Sequence, residues 1–130
     1  MERLAEVQIN EKSYPLNFSV AASQFAEEQC GGISELLTGL IQKPADAFPK
    51  VIPLLALMMD QGAAYLEITR GEQREKLTKR QLSILIQPRD YPEVSNAFIT
   101  AVVRGISREV EAEPPKKEEP GQDPPLSPGS

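Results

Sequence analysis

The 130-residue sequence contains no histidine, no tryptophan and a single cysteine, Cys30. Without histidine the chain lacks the most common general base, the usual zinc ligand and every histidine-based nucleophile triad. One cysteine excludes an intrachain disulfide and a structural zinc site, and it fits a reducing compartment. Phosphate-binding glycine loops and the G-x-S-x-G nucleophile motif are also missing. These absences predict a protein that is not an enzyme and that holds no cofactor or metal.

Charge is sparse in the body of the chain and concentrated near its end. The net charge is −5; residues 109–130 hold six acidic and two basic side chains, which leaves 13 acidic and 12 basic side chains elsewhere. A nearly neutral body gives no general electrostatic basis for nucleic-acid binding. The longest apolar run, residues 51–59, is shorter than the roughly 20 residues of a membrane span, and no signal-peptide run precedes it. The sequence therefore predicts a cytoplasmic protein that binds neither nucleic acid nor membrane.

Apolar and polar residues alternate in residues 5–9 and again in residues 14–18, on either side of a polar break. This pattern predicts an N-terminal β-hairpin. Pro15 has no N–H to donate, so we expect it on an open edge of the second strand. Because an isolated hairpin is marginally stable in water, its apolar face should pack on helices or on a partner. That face consists of Val7, Ile9, Leu16 and Phe18.

Helical signals fill the rest of the body. Ser19 predicts the N-cap of a first helix that ends at Gly31-Gly32, and Ser34 or a neighbouring residue should cap a second. The strongest signal, residues 50–65, is apolar nearly all round, which is typical of the central helix of a bundle. Pro49 and Pro53 should then lie before it or in its first turn.

The second half of the body predicts two further helices. Residues 70–76 are polar and predict a loop, and Thr78 with Gln81 fits a capping box for a short helix that Pro88 ends. A closing helix should begin at Asp90 or Tyr91 and continue to about residue 110. The predicted fold is therefore mainly α (α+β), with the hairpin packed on a small bundle of about five helices.

The composition changes near residue 113. From there to the end the chain contains six prolines, no aromatic residue and one large aliphatic, Leu126. Such a segment cannot bury enough apolar surface to offset the entropy of ordering. We therefore predict one domain at residues 1–110 and a disordered, acidic, proline-rich tail at residues 111–130.

Three weak signals of chemistry favour ordinary structural roles. Glu27 and Glu28 are adjacent on a helix and diverge by about 100°, so they should face solvent and not converge on a substrate. Cys30 precedes a helix C-terminus, where the dipole raises a thiol pKa, so an inert thiol is expected. Five basic residues between positions 70 and 80 are interleaved with acids and lack aromatic neighbours, which favours a solvated loop over a phosphate or nucleic-acid site. They are Arg70, Arg74, Lys76, Lys79 and Arg80.

The order of these pieces resembles a known family. A predicted hairpin, V-Q-I-N-E-K-S-Y-P-L-N-F-S-V, runs straight into a helix that ends in G-G. A hydrophobic central helix comes next. It is followed by two segments, L-T-K-R-Q-L-S-I-L-I and P-R-D-Y-P-E-V-S-N-A-F-I-T-A-V-V-R-G-I. This is similar to the small tail assembly chaperones of long-tailed phages and prophages, which open with an I-N-G-K-x-Y-x-L-x-F hairpin. Glu11 departs from the family's usual Gly, and Asn-Glu does not suit a two-residue type I′ turn, so we expect a longer loop.

The resemblance implies a non-enzymatic function in the bacterial cytoplasm. Members of this family coat the tape-measure protein and recruit tail-tube subunits, and many exist in a short form and a frameshift-extended form; this chain would correspond to the short form. Such a role needs accessible apolar surface. One candidate is the pair of methionines, whose side chains adapt to varied partners. A second candidate is the open edge of the hairpin, which could add strands from another copy. Met58 and Met59 have an alternative interpretation as ordinary core. The candidate partner-binding residues are Val7, Ile9, Leu16, Phe18, Met58 and Met59.

Two other functions fit the sequence. The acidic tail is also compatible with a small adaptor or inhibitor that acts by protein–protein binding on a host or prophage partner. In that case, removal of residues 113–130 would abolish binding. Nucleic-acid binding through residues 70–80 would instead predict strongly salt-dependent retention on DNA or RNA.

Overall fold

Two short strands and five α-helices make up residues 3–107, the part of the chain that the computed structural model describes. The prediction of a mainly α fold with an N-terminal hairpin is confirmed. The predicted disordered tail, residues 111–130, lies outside the described residues. The elements are β1 (Ala5–Ile9), β2 (Lys12–Leu16), α1 (Val20–Gln29), α2 (Ile33–Gln42), α3 (Pro44–Arg70), α4 (Lys79–Leu85), a 3-10 helix (Pro88–Asp90) and α5 (Tyr91–Ile106).

The hairpin has a two-residue turn, so the prediction of a longer loop is wrong. Ile9 pairs with Lys12 across the turn, and both Asn10 and Glu11 take positive φ angles, 53° and 68°. This is the type I′ geometry, whose twist matches that of the flanking strands. Asn tolerates the left-handed region well, whereas Glu does not. The strand pairing and the packing beneath the hairpin therefore impose the turn on Glu11.

The outer edge of β2 is covered and not open, contrary to the prediction for Pro15. Alternate pairs of an antiparallel ladder exchange no hydrogen bonds, and Pro15, opposite Glu6, occupies such a pair and turns its nitrogen away from β1. However, α3 lies against that edge, and Pro15 is fully buried. A Cβ atom on Gly62 of α3 would lie 2.6 Å from the Pro15 carbonyl carbon. Only glycine permits this approach of helix to strand.

Helix α3 is longer than predicted, since it starts at Pro44 instead of residue 50 and ends at Arg70 instead of residue 65. Pro49 and Pro53 therefore lie inside it, beyond the first turn where they were expected. Each removes one backbone hydrogen bond, at a typical cost of about 3 kcal/mol. The carbonyls that lose a partner belong to Ala45 and Pro49, both exposed, so water can replace the missing donors.

The central position of α3 offsets that cost. Ten of its residues are buried, and it packs on β2, α1, α2 and α4. Burial of a large aliphatic or aromatic side chain contributes about 1.5–3 kcal/mol, so the buried stripe outweighs two interrupted hydrogen bonds. Among the described residues α3 alone is long and apolar enough to cross a membrane, a test that the core helix of a bundle also passes.

The helix ends largely follow the predicted caps. Ser19 accepts a hydrogen bond from the Ala22 amide, and Thr78 and Gln81 form the complete capping box, with bonds of 3.1 and 2.9 Å. The second helix was expected to be capped at Ser34 or nearby; its N-cap is Gly32, two residues earlier, and no side chain caps it. At a φ of 103°, Gly32 takes a conformation that a side chain would strain.

Helix α5 closes the fold against β1. It begins at Tyr91, as predicted, and ends at Ile106, four residues before the predicted end. Near that end, a Cβ atom on Gly105 would lie 2.6 Å from the Phe18 carbonyl oxygen. This contact brings the C-terminal end of α5 next to the start of α1. The buried face of α5 consists of Val94, Ser95, Phe98, Ala101 and Val102.

Candidate interaction surfaces

The six residues predicted to bind a partner all lie in the hydrophobic core. Their exposed fractions run from 0% at Leu16, Met58 and Met59 to 6% at Phe18. The hairpin face packs on helices, one of the two arrangements expected for it, and the six residues present no surface. The alternative interpretation of the two methionines as core therefore agrees with the structure. A partner could reach these residues only if the core opened. The set is Val7, Ile9, Leu16, Phe18, Met58 and Met59.

A polar junction seals the hairpin onto α3 beside that core. The Asn17 amide donates to the Met58 carbonyl at 3.0 Å, and the Asn17 side chain donates to the Gln61 carbonyl at 3.3 Å. The Ser19 hydroxyl donates to the side-chain oxygen of Gln61 at 2.7 Å. Together with the Gly62 contact, these bonds occupy the backbone where β2 leads into α1. This edge therefore cannot accept a strand from a second copy in this conformation.

Exposed aliphatic residues lie near the adjoining ends of α1 and α5. Val20 is 83% exposed, Val103 54% and Ile106 58%. The close approach of Gly105 to Phe18 brings the ends of the two helices that carry them together. We call these three residues the α1/α5 patch. Single exposed aliphatic residues are common, so these three are candidates for an interaction surface because of their place at one junction.

Other apolar features are more dispersed. Ile41, Ile68 and Ile84 are exposed on three different helices. A shallow groove of about 240 Å³ runs between α3, α4 and α5, where the rings of Phe48 and Tyr91 stack with centroids 4.1 Å apart.

A cleft of about 520 Å³ lies at the N-terminal end of the hairpin. Four arginines line it: Arg3 before β1, Arg70 at the end of α3, Arg74 shortly after it and Arg104 near the end of α5. Among the described residues Glu6 is the only acidic one in the lining, and Leu4, Tyr65 and Leu66 complete it. We call this feature the arginine cleft. Sequence reasoning missed it because Arg3 and Arg104 are distant from Arg70 and Arg74 along the chain.

The basic residues predicted to form a solvated loop divide into different environments. Arg70 and Arg74 line the arginine cleft, while Lys79 and Arg80 are exposed on α4. Lys76 forms an ion pair with Asp60, which lowers the pKa of the Asp60 carboxyl and raises that of the Lys76 amine, in each case mainly through their hydrogen bond. The segment is therefore not one basic surface, which agrees with the acids interleaved in its sequence.

The residues between α3 and α4 bind the hairpin through charge. Arg74 donates to the Glu6 carboxylate at 3.5 Å and to the Ser13 carbonyl at 3.2 Å, and Lys12 pairs with Glu75 at 3.1 Å. We call residues 71–78 the connecting loop.

Candidate groups for catalysis are not brought together. Glu27 and Glu28 are both exposed. The Cys30 thiol lies 3.7 Å from the Lys50 carbonyl oxygen, and burial raises its pKa, which agrees with the predicted inert thiol although burial and not the helix dipole is the cause. Within residues 3–107, no three histidine, cysteine, aspartate or glutamate side chains are grouped so that they could bind a metal.

Comparison of the chain with models of known protein families, with curated proteins and with solved structures finds no match.

Proposed function

We propose that this chain is a non-enzymatic tail assembly chaperone of a long-tailed phage or prophage. In the bacterial cytoplasm it binds the tape-measure protein and helps to recruit tail-tube subunits. The observation that carries the proposal is the order of the elements: a hairpin leads directly into a small-residue helix, a hydrophobic central helix follows, and an amphipathic helix closes the fold. This is the order on which the resemblance to that family rests.

The α1/α5 patch is the surface that we assign to the tape-measure protein. A chaperone of a long helical protein needs apolar surface that is accessible in its folded state, and the residues of the core do not provide it. Val20, Val103 and Ile106 are exposed and aliphatic, and they lie on the helix ends that the contact of Gly105 with Phe18 brings together. An amphipathic helix of a partner can bury them without any rearrangement of the core.

Co-expression with the tape-measure protein encoded in the same gene cluster tests the proposal. We expect the tape-measure protein to stay soluble and to co-purify with the chain, and tail-tube subunits to join the complex when added. Val103→Asp should abolish co-purification, because a carboxylate would be desolvated in the apolar contact. Ile84→Asp is the matched control, since Ile84 is an aliphatic residue on α4 that is exposed to 64%, against 54% for Val103, and should tolerate the change.

Two results would contradict the proposal at different levels. If the natural chain neither co-purifies with the tape-measure protein nor keeps it soluble, the chaperone function is wrong. If the natural chain binds but Val103→Asp and Ile84→Asp bind equally well, the function stands and the assignment of the patch is wrong. Circular dichroism of both variants shows whether they keep the helical content of the natural chain.

A further inference from the structure

We propose that the arginine cleft is a binding site for a carboxylate-rich peptide segment, and that its occupant is the acidic stretch at residues 109–113 of this same chain. This inference does not depend on the proposed chaperone function, since it concerns a different surface and a different ligand chemistry.

The charge balance of the cleft favours an anionic ligand. Among residues 3–107 four arginines and one acidic residue, Glu6, line the cleft, and Glu6 pairs with Arg74. Within residues 3–107, the ion pairs of the chain include Arg74 but not Arg3, Arg70 or Arg104. Like charges held close together repel, and the repulsion is relieved when a carboxylate enters between them. Arginine is well suited to this contact because its planar group binds both oxygens of a carboxylate at once.

Several of these arginines are held in place before any ligand arrives. Arg104 donates a hydrogen bond of 2.6 Å to the Leu4 carbonyl. The Arg3 guanidinium lies 4.7 Å from the centre of the Tyr65 ring and donates to the Asn17 side chain at 3.4 Å. Arg74 is anchored to Glu6, Glu72 and the Ser13 carbonyl. A ligand that meets fixed donors loses less side-chain entropy on binding, so the cleft is prepared for its ligand.

The sequence that follows α5 has the required charge and reach. Arg104 lines the cleft, α5 ends at Ile106, and Glu109 follows three residues later, a span of up to about 10 Å. Glu111 and Glu113 extend the reach to roughly 24 Å from Ile106. A segment tethered this closely has an effective concentration on the order of a millimolar, so even weak individual contacts fill the site. An acidic partner would have to displace it.

The test measures competition between this segment and a free copy of it. The probe is a fluorescein-labelled synthetic peptide of residues 109–119, and its polarisation is followed in about 20 mM salt, where charge contacts are least screened. The proteins are the full chain and the full chain with Glu109→Gln, Glu111→Gln and Glu113→Gln. Because the triple variant no longer competes, it should bind the peptide about tenfold more tightly than the natural chain.

Two charge-reversal variants, one inside the cleft and one outside it, test whether the cleft is the binding site. In the triple variant, Arg70→Glu should abolish peptide binding, whereas Arg80→Glu, the same charge change at an exposed arginine on α4, should leave it intact. Both arginines are exposed, so neither change disturbs the core. Arg70 lies in the last turn of α3 and Arg80 in the first turn of α4, so the helix dipoles should shift the two thermal melts slightly and in opposite directions. Arg70→Gln, which removes one charge without reversing it, should give an intermediate loss.

Each contrary result overturns a stated part of the proposal. Equal peptide affinity for the natural chain and the triple variant would show that residues 109–113 do not fill the cleft. Equal losses from Arg70→Glu and Arg80→Glu, or no peptide binding at all, would eliminate the cleft as a carboxylate site. Competition that grows with protein concentration would assign the segment to a second copy. Tighter binding of a single-stranded oligonucleotide than of the peptide would replace carboxylates with phosphates as the ligand.

Discussion

The hairpin is held to the rest of the molecule in two physically different ways. Along β2 it is held by shape: α3 approaches so closely that Gly62 has no room for a side chain, and the contact is apolar apart from bonds made by the backbone and Asn17. On another side it is held by charge, through the connecting loop and its pairs Arg74–Glu6 and Lys12–Glu75. The same two strands therefore meet a dry interface on one side and a solvated one on the other.

The packed contact therefore contributes stability, whereas the charged contact can exchange its partners. Close packing in a buried interface responds sharply to a change of a single methyl group. Exposed ion pairs contribute little each, typically up to 1 kcal/mol, and they exchange partners readily. The arginine cleft lies between the packed contact and the charged one. Leu66 and Tyr65 in its lining belong to α3, while Glu6 and Arg74 form one of the ion pairs. A site for an exchangeable acidic ligand fits this boundary.

The largest effect should follow from Gly62→Ala. The new methyl group would overlap the Pro15 carbonyl, so α3 and β2 must move apart and the core opens beside Met58. We expect the free energy of unfolding to fall by about 3 kcal/mol, the upper range for overpacking a core. Urea denaturation followed by circular dichroism measures the change.

Gly71→Ala is the control for this prediction. Gly71 ends α3 at a φ of 65°, and nothing lies near its missing Cβ. Alanine there is strained only by its backbone conformation, at a cost of about 1 kcal/mol. A loss from Gly62→Ala no greater than that from Gly71→Ala would show that the β2 interface is less rigid than its geometry indicates.

The packed side was largely predictable from the sequence and the charged side was not. Alternation of apolar residues identified the hairpin and its inward face, and capping residues such as Ser19 and Thr78 located helix starts, because these signals act within a few residues. The start of α3 was predicted wrongly because Pro49 and Pro53 are strong local signals of a helix start, and the burial of α3 overrides them. Local strain at Glu11 is overridden in the same way.

The surfaces depend on contacts between distant parts of the chain. Arg3 and Arg104 meet in one cleft only because α5 packs beside β1, and no spacing rule relates residues so far apart. In the same way, apolar pattern marks Met58 and Met59 as important but cannot say whether they are core or interface. Fold class was therefore predictable here, and the position of the accessible surface was not.

A smaller effect on stability is expected at the hairpin turn, where the backbone of Glu11 is strained. Glu11→Gly removes the unfavourable left-handed conformation at φ 68° but also increases the freedom of the unfolded chain. The net result should be a gain of about 0.5–1 kcal/mol in the free energy of unfolding. Glu11→Ala, which removes the charge and keeps the strain, should give no comparable gain. Equal gains from both variants would indicate a charge effect instead of a conformational one.

The smallest effect should come from the ion pair that joins α3 to the connecting loop. Its hydrogen bond to Lys76 holds the pKa of Asp60 below the ordinary value of 3.8. The folded state thus favours the ionised carboxylate, so the stabilisation is complete above the ordinary pKa and is lost as the pH falls through the lowered value. Asp60→Asn should weaken the decline of the urea midpoint between about pH 5 and pH 2. The difference between natural chain and variant at neutral pH should shrink in 1 M salt, because the pair is partly exposed. A pH profile that is unchanged in Asp60→Asn would mean that the acid sensitivity of the fold comes from other carboxylates, and that this pair contributes little to holding the connecting loop on α3.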